Sequence, residues 1–466
     1  MAEATILDFM TDPALFGKQF GGDSFAAWRA LLAGFYGLPM DAGQLDTFKA
    51  ITGRAEAPVG AADELWLPVG RRGGKSRVAG LVAAFEAVKD HRPKLAEGEW
   101  ATIQLIAADR KQARVLQRYI AALFRHPMLR PMVLRETADG LELAHRTVIE
   151  VTTASFRATR GYTLAAALCD EIAFWQVDGS KPDAEIIAAL RPALSTLGGK
   201  LLAFSSPYAK RGSLWDTFRK HYGKPGRILV AQAPSRTMNP TLPAHVIEEA
   251  LADDYARASA EYLALFRSDV STLLDEEVIR AAVRPSPKEL PRMSGVAYHA
   301  FTDPAGGGQD GFTLGIGHRE GTTNVVDMVR ELHGSPATIV AEYATVLKGY
   351  GVNSVTGDRY AGQWPADEFR RHGVRYHTSD LDRSGIYVEF MAQMNSGRAI
   401  LPPDEKMVRQ MIGLERRTGS SGRDTIDHAP NAHDDLANAA AGVVATIAQK
   451  FRQHMTTTCT PLRGMA

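Results

Sequence analysis

Residues 65–76 read Leu-Trp-Leu-Pro-Val-Gly-Arg-Arg-Gly-Gly-Lys-Ser, a short apolar run followed by a glycine-rich, positively charged loop. The next residues, 78–85, have the spacing of an apolar helix. A strand, a glycine-rich loop and a helix in this order direct backbone N–H groups and a helix N-terminus towards one point, an arrangement that binds phosphate groups. Lys75 is expected to reach the β- and γ-phosphates of a nucleotide, and Ser76 to ligate Mg²⁺. The other residues predicted to surround the phosphates are Gly70, Arg72, Gly73 and Gly74.

The loop departs from the common phosphate-loop pattern at one position. Val69 stands where the pattern G-x-x-x-x-G-K-S has its first glycine. An ordinary basic glycine turn is therefore the alternative interpretation, and a second feature is needed to decide between the two.

The sequence around this loop supplies that feature. From residue 64 to about 233, short apolar runs alternate with helical segments, which predicts a mostly parallel sheet covered on both faces. One run, residues 164–169, ends in Asp170 and Glu171. In phosphate-loop ATPases the first acid supports the Mg²⁺ shell and the second polarises the attacking water. The alternative for this pair is a solvated acidic turn.

A second alternating region begins at residue 295. Three closely spaced strands are followed by helix, strand and helix, and the order β-β-β-α-β-α predicts a ribonuclease-H-like core. The fold class is therefore α/β, with a P-loop ATPase domain joined to a ribonuclease-H-like nuclease domain. The predicted boundaries are an ATPase domain at 1–233, a helical lid, connector and linker at 234–294, a nuclease domain at 295–450 and a tail at 451–466.

This second region carries carboxylates at the ends of separated elements. Asp303 closes the first strand, Asp358 closes the fourth, and Asp434 and Asp435 precede an apolar helix at 436–447. In a ribonuclease-H-like sheet the first and fourth strands are neighbours, so three of these carboxylates are expected to meet. Their repulsion calls for cations, and two Mg²⁺ or Mn²⁺ ions would support phosphodiester hydrolysis.

Each aspartate also has a purely local interpretation, because Asp is frequent at strand exits and helix N-caps. Asp435 is the first choice for the third metal ligand and Asp434 the second, since one would face the sheet while the other caps the helix. His433 could support the ligands from behind, and Asp310 could approach the metal.

Composition narrows the function classes only slightly. The 466 residues carry a net charge of +1, so any contact with nucleic-acid phosphates must come from local patches. The chain has 2 cysteines, which argues against a disulfide framework or a cysteine-based zinc site. We expect no signal peptide, since no basic region followed by a long apolar stretch begins the sequence, and no membrane span.

These motifs together resemble the large terminase subunits of tailed phages. The resemblance covers about residues 65–444 and includes Ser205-Ser-Pro207 and the segments 300–307, 357–362 and 427–439. It implies that Arg71, or alternatively Arg72, is an arginine finger supplied in cis. It also implies that Ser205 and Ser206 couple hydrolysis to movement. The sequence departs from some members at Asn438, where they have a further aspartate.

The resemblance implies a complete function. ATP would drive double-stranded DNA into a procapsid, and the nuclease would cut concatemeric DNA with Mg²⁺ or Mn²⁺. The implied partners are the portal protein, a small terminase subunit and further copies of the chain in a ring, without a membrane. The implied location is the cytoplasm of a bacterial host, with transient attachment to the procapsid.

Two other functions remain open at this point. One is a P-loop ATPase fused to a nuclease in DNA repair or phage defence, and the other is a non-catalytic adaptor. Five arginines around the Asp358 strand could track a DNA backbone or form solvated faces: Arg359, Arg370, Arg371, Arg375 and Arg383.

Overall fold

The structure is a computed structural model that describes residues 4–154, 161–175, 182–304, 311–358, 364–418, 424–428 and 432–458. The chain divides into two compact units, Met1–Asp269 and Val270–Ala466. The division falls within residues 234–294, the segment that the sequence predicts to be a connector. Among the described residues, no helix combines the length and apolar character needed to cross a bilayer.

The first unit is built on an eight-stranded sheet in the order β3-β4-β5-β2-β6-β7-β1-β8. Its strands are β1 (Glu64–Pro68), β2 (Ala101–Ala107), β3 (Val133–Glu136), β4 (Gly140–Leu143), β5 (Thr147–Thr153), β6 (Thr163–Asp170), β7 (Lys200–Ser205) and β8 (Ile228–Val230). Its helices are α1 (Ile6–Thr11), α2 (Gly17–Phe20), α3 (Ala26–Tyr36), α4 (Ala42–Thr52), α5 (Lys75–Val88), α6 (Arg110–Phe124), α7 (Pro182–Ser195), α8 (Gly212–His221), α9 (Ser235–Met238), α10 (Ala244–Asp253) and α11 (Tyr255–Leu263).

Both faces of this sheet are buried, as the apolar runs predict. Because side chains alternate across a strand, Leu65 and Leu67 of β1 enter a core shared with α5 and α6, whereas Trp66 enters a separate core with α7 and α8. The central strands are parallel, and the prediction of a mostly parallel sheet is confirmed.

The sequence analysis missed the hairpin at one edge of this sheet. Strands β3 and β4 pair with each other in antiparallel fashion, and β4 also pairs in this way with β5. Each has four residues, and β3 is mostly exposed. Strands as short as these two lack the apolar runs that identify the longer buried strands.

The second unit has a six-stranded sheet in the order β14-β13-β10-β11-β12-β15 and a three-stranded sheet in the order β17-β16-β9. Its strands are β9 (Val270–Thr272), β10 (Tyr298–Asp303), β11 (Phe312–Glu320), β12 (Thr323–Leu332), β13 (Ser354–Gly357), β14 (Arg375–Thr378), β15 (Ala399–Ile400), β16 (Leu414–Thr418) and β17 (Asp424–His428). Its helices are α12 (Glu276–Ala282), α13 (Pro336–Gly349), α14 (Trp364–Arg371), α15 (Arg383–Asn395), α16 (Glu405–Ile412) and α17 (Asp435–Thr458).

The strand order of the larger sheet confirms the predicted ribonuclease-H-like arrangement. Strands β10, β11 and β12 are antiparallel neighbours, and β13 lies parallel beside β10. Thr302 is opposite Gly357 in this pairing, so Asp303 and Asp358 follow directly at the same edge. The smaller sheet was not predicted, and it joins β9 to the β16–β17 hairpin.

Helix α17 packs directly on the backbone of β11. A Cβ atom added at Gly315 would lie 2.8 Å from a Val443 methyl carbon and 2.9 Å from the Ala439 carbonyl oxygen. One added at Gly317 would lie 2.5 Å from Val443. Glycines on the strand therefore permit a close approach that fixes where α17 lies on the sheet.

Candidate active sites

The first site lies where β1, β7 and β6 end. Pro68 pairs with Ser205, and Asp170 pairs with Phe204. Because these strands are parallel, their carboxyl ends meet at one edge of the sheet, where ligands of open α/β sheets bind. The glycine-rich loop, the acidic pair and Ser205 are thereby brought together, as the sequence analysis expects.

The conformation of the glycine-rich loop is fixed by its own glycines and by a tryptophan. Gly74 has a φ of +92° and precedes α5, which begins at Lys75. The indole Nε1 of Trp28 donates a hydrogen bond of 2.9 Å to the Gly73 carbonyl oxygen. A Cβ atom at Gly74 would lie 3.2 Å from the same nitrogen. Trp28 of α3 therefore supports the loop, a contact that no local motif identifies.

Lys75 lies in the centre of this site. Its ammonium donates to the carbonyl oxygens of Val69 at 2.7 Å and Gly70 at 3.2 Å, and to the Ser206 hydroxyl at 3.1 Å. Burial lowers its pKa, while the charges of Glu171 and Asp170 raise it and partly oppose that effect. A buried ammonium with nearby carboxylates remains a suitable counter-charge for phosphate oxygens.

The two acids at the end of β6 have different environments. Asp170 is buried, and no group among the residues that the structure describes forms a hydrogen bond with its Oδ1. Burial, together with the charge of Glu171, raises the pKa of Asp170 to about 7, against the opposing effect of Lys75. Glu171 has a left-handed backbone, with φ of 51°. Its Oε2 accepts from the Ser205 hydroxyl at 2.8 Å and the Ser206 amide at 3.3 Å. Backbone strain of this kind is frequent at functional sites.

The two loop arginines, Arg71 and Arg72, are both exposed. The guanidinium of Arg71 pairs with Glu261 of α11 at 3.3 Å. The Arg72 backbone is left-handed, and its carbonyl oxygen accepts from Asn239 at 2.9 Å. Residues of α11 and of the segment just after α9 thus hold the outer half of the loop.

Ser76 and Gln44 each lie in the first turn of a helix. Ser76 is the second residue of α5 and is half-exposed. Gln44 forms a capping box with Asp41 at the start of α4, where its side chain accepts from the Asp41 amide at 3.1 Å. Gln44 therefore takes part in the N-terminal capping of α4.

The second site lies in the other unit, at the ends of β10 and β13. The Asn438 amide of α17 donates to Asp303 Oδ2 at 2.7 Å. Burial raises the pKa of Asp303 to about 7; the Asn438 hydrogen bond opposes this, and the charges of Asp358 and Asp435 add to it. Asp358 is buried, and within the described part of the chain its Oδ1 has no hydrogen-bond partner. Asp303, Asp358 and Asp435 are therefore electrostatically coupled, as the strand order predicts.

Asp434 and Asp435 face different surroundings. Asp434 is buried and binds Arg383 and the hydroxyl of Tyr387, the latter at 2.6 Å. Asp435 is half-exposed, and its carbonyl oxygen accepts from Thr313 at 2.9 Å.

The N-terminus of α17 is capped from another helix. Gln410 Oε1 of α16 accepts from the Leu436 amide at 2.9 Å and the Ala437 amide at 3.1 Å. The sequence analysis expects one of the two aspartates to cap the helix. For the Leu436 and Ala437 amides this expectation is wrong, because both amides donate to Gln410, which is distant in sequence.

In the described part of the chain, no group of three or more His, Cys, Asp or Glu side chains is arranged so that it could hold a metal ion. Asp303, Asp358 and Asp435 are the acidic side chains proposed to hold a cation at this edge of the sheet. Their chemistry is nevertheless suitable, because oxygen donors bind Mg²⁺ and Mn²⁺. Among the described residues Asp358 Oδ1 has no hydrogen-bond partner, and burial raises the pKa of Asp303, so a bound cation would stabilise the charged form of both carboxylates.

The other residues considered as DNA or metal contacts give a mixed result. Arg370 pairs with Asp367, and Arg371 with Glu368, on the surface of α14. Arg375 is exposed at the start of β14, and His433 is exposed before α17. Arg359 and Asp310 lie outside the described residues.

No family model matches this sequence, and the comparison with curated proteins gives no match. Three solved structures illustrate what the fold is similar to. The large terminase of bacteriophage HK97 is 17% identical, with 88% of this chain and 95% of that one covered and a TM-score of 0.38. A large terminase from a thermophilic bacteriophage is 14% identical, with coverage of 85% and 96% and a TM-score of 0.35. The large terminase nuclease of another thermophilic phage, G20c, with bound magnesium is 14% identical, with coverage of 37% and 96% and a TM-score of 0.33.

All three of these structures belong to the protein class that the sequence motifs resemble. Because each TM-score is below 0.5, the functional proposal rests on the residues of this chain and their geometry.

Proposed function

We propose that this chain is the large terminase subunit of a tailed phage, which uses ATP to move double-stranded DNA into a procapsid and cuts that DNA. The observation that carries the proposal is the presence of two separate acidic centres in two compact units. One contains Lys75 beside Asp170 and Glu171, and the other contains Asp303 beside Asp358.

In the first unit, the contacts among Lys75, Glu171, Ser205 and Ser206 support a role in nucleotide hydrolysis. On nucleotide binding, the Lys75 ammonium would exchange its bonds to Val69 and Gly70 for phosphate oxygens. Asp170 and Ser76 would hold Mg²⁺, which neutralises phosphate charge. Glu171, held through Oε2 by Ser205 and Ser206, would orient the attacking water through Oε1. Since Ser206 also contacts Lys75, the 205–206 segment can respond to the γ-phosphate.

In the second unit, Asp303, Asp358 and Asp435 would hold the cations that activate water and stabilise the leaving oxygen. Asp435 is favoured over Asp434, because the carboxylate of Asp434 is engaged by Arg383 and Tyr387. Asn438 would hold Asp303 in position through its hydrogen bond. This site would cut concatemeric DNA at the beginning and end of packaging.

The proposal extends to domains and partners. The ATPase domain would cover residues 1–233, the connector 234–294, the nuclease domain 295–450 and the tail 451–466. The partners would be the portal protein, a small terminase subunit and further copies in a ring, and the location would be the host cytoplasm with transient attachment to the procapsid. Structures of the thermophilic-phage large terminase in complex with ADP and ATP-gamma-S, and of the G20c nuclease with bound cobalt, are in keeping with the proposed ligands.

Paired variants test the proposal. Lys75→Ala or Glu171→Gln should lower DNA-stimulated ATP hydrolysis by at least about 10²-fold, because the first removes a positive charge that stabilises the transferring phosphoryl group and the second removes the carboxylate that orients the attacking water. Mn²⁺-dependent nicking of plasmid DNA should persist. Lys111→Ala, an exposed lysine of α6, is the control and should hydrolyse ATP normally.

The reciprocal variant completes the test. Asp303→Ala should abolish nicking and leave ATP hydrolysis intact, whereas Asp367→Ala, an exposed acid of the same unit, should change neither. Normal ATP hydrolysis by Lys75→Ala would contradict the motor assignment, and nicking by Asp303→Ala would contradict the nuclease assignment.

A further inference from the structure

The starts of α15 and α17 meet at a buried ion pair. Arg383, the first residue of α15, donates from Nε to Asp434 Oδ2 at 3.1 Å, and its Nη2 donates to Asp434 Oδ1. The hydroxyl of Tyr387, one turn further along α15, donates to the same Oδ2 at 2.6 Å. The side chain of Asp434 is 2% exposed, and Tyr387 is fully buried.

This arrangement already satisfies the Asp434 carboxylate. Both oxygens accept from a guanidinium in a two-point contact, the strongest geometry available to a carboxylate and an arginine. Removing one partner of a buried pair leaves an uncompensated charge, which is costly. Asp434 is therefore poorly suited to ligate a cation, and its geometry is that of a residue that positions Arg383.

The position of Arg383 near the acidic residues indicates a function for the Arg383–Asp434 ion pair. Asp434 directly precedes Asp435, and one turn later Asn438 bonds Asp303. The guanidinium is thus held at the margin of the acidic centre, and its charge acts on Asp303. Its side chain is 31% exposed, and its Nη1 lies 3.5 Å from Asp427, itself partly exposed. A planar guanidinium that is fixed on one edge can present its other N–H groups to a phosphate.

We propose that Arg383 is a substrate-binding residue of the nuclease centre, which contacts a phosphate oxygen of the DNA strand to be cut, and that Asp434 and Tyr387 are its positioning residues. This inference rests on the proposed nuclease function. The guanidinium would offset the negative charge that accumulates when DNA approaches Asp303, Asp358 and Asp435.

The positive charge of Arg383 allows an experiment to distinguish phosphate binding from metal ligation. A cation beside the acidic centre opposes the binding of a second cation, so loss of Arg383 should leave Mn²⁺ affinity unchanged or increase it. Loss of a metal ligand should decrease Mn²⁺ affinity. If Arg383 served only the stability of the fold, its substitution would change neither the Mn²⁺ affinity nor the salt dependence of DNA binding in a defined direction.

The experiment uses the full chain with the substitutions Arg383→Gln, Arg383→Lys, Asp434→Asn, Tyr387→Phe and Asp303→Ala. Mn²⁺ binding is measured by titration of the free ion, cleavage with saturating Mn²⁺, and DNA binding against salt concentration in EDTA. Arg280→Gln, which removes an exposed arginine paired with Glu276 in the same unit, is the matched control.

Arg383→Gln should lower cleavage by about 10²-fold or more, as expected for a lost charge contact to the reacting group. It should also reduce the slope of log affinity against log salt by about 1, as for one lost phosphate contact. Mn²⁺ binding should be as tight as in the wild type or tighter. Asp434→Asn and Tyr387→Phe should follow the same pattern with smaller losses of cleavage. Arg383→Lys keeps the positive charge beside Asp434 but loses the planar two-point contact, so it is the safeguard against misfolding and should cleave at an intermediate rate.

Three results would overturn the inference. The first is wild-type cleavage by Arg383→Gln, the second is an unchanged salt slope in that variant, and the third is loss of Mn²⁺ binding by Asp434→Asn to the extent seen in Asp303→Ala. A wild-type chain that binds Mn²⁺ and does not cut DNA would instead contradict the proposed nuclease function itself.

Discussion

At the residue scale, the two sites have in common a buried aspartate with a raised pKa. Asp170 and Asp303 each end a strand, and burial raises the pKa of each to about 7. Their neighbours differ, because Asp170 has the Lys75 ammonium nearby whereas Asp303 accepts from the uncharged amide of Asn438. Each carboxyl also has one cationic side chain acting on it, Lys75 on Asp170 and Arg383 on Asp303, which lowers its pKa against the effect of burial.

The pKa of Asp303 predicts a pH effect on stability. The carboxyl group keeps its proton in the folded chain up to about pH 7, but in the unfolded chain only up to about pH 4. Its stabilising contribution is thus complete below about pH 4 and is lost as pH rises through 7, at about 1.4 kcal/mol per pH unit. In EDTA, Asp303→Asn should gain stability relative to the wild type between pH 5 and 8, as measured by urea unfolding of the second unit. Parallel pH profiles would contradict this prediction.

The choice between Arg71 and Arg72 leads to a kinetic prediction. Arg71 pairs across the loop with Glu261, so its guanidinium can exchange one anionic partner for another. If Arg71 stabilises the transferring phosphoryl group, Arg71→Ala should lower kcat by about 10³-fold with little change in KM. Arg72→Ala is the matched control and should lose much less. Equal losses in both variants, or a larger loss at Arg72, would reverse the assignment.

Residues whose roles follow from local sequence were the ones that could be predicted. Lys75 and Asp170 each stand at a recognisable junction between a strand and the next element, and the structure brings them together. Trp28 and Gln410 act across long sequence separations, so no local pattern identifies them. Asn438 was noticed only as a departure from a motif, and its bond to Asp303 required the fold.

At the element scale, the position of α17 decides the geometry of the nuclease centre. Asp435 begins the helix, and Gln410 of α16 accepts from two of its first amides. Gln410→Ala should cost about 1 kcal/mol of stability, the usual loss for a helix cap. It should also weaken Mn²⁺ binding, because the first turn that carries Asp435 would fray. Calorimetry and Mn²⁺ titration would measure the two effects, and a stability loss without any change in Mn²⁺ affinity would show that the cap does not position Asp435.

Elements with strong periodicity were predicted and weak ones were not. The buried strands around β1 and the order that places β13 beside β10 follow from apolar runs and strand count. The β3–β4 hairpin and the smaller sheet have short strands, and β3 and β9 are mostly exposed. Such strands form because neighbouring strands pair with them, and the apolar periodicity of one sequence does not indicate that pairing.

At the scale of the whole molecule, each unit has its own hydrophobic cores. Two cores belong to residues before position 270, and two belong to residues after it. Ligands that bind one unit should therefore protect that unit from hydrogen exchange. Magnesium with a non-hydrolysable ATP analogue should slow exchange at 69–76 and 205–206. Mn²⁺ alone should slow it near Asp303, Asp358 and the start of α17. Protection of the same segments by both ligands would contradict the assignment of separate sites.

The glycines of β11 make the nuclease centre sensitive to a change that touches none of its acids. Because positions 315 and 317 of β11 are glycines, the strand places no side chain between its backbone and α17 at these two positions. A single methyl group at position 315 would have to lift or slide the whole helix, and Asp435 and Asn438 would travel with it. Substitutions on β11 beneath α17 can therefore change the distances between the carboxylates of the proposed nuclease centre. Such substitutions would alter the rate of DNA cleavage although every acidic side chain is retained.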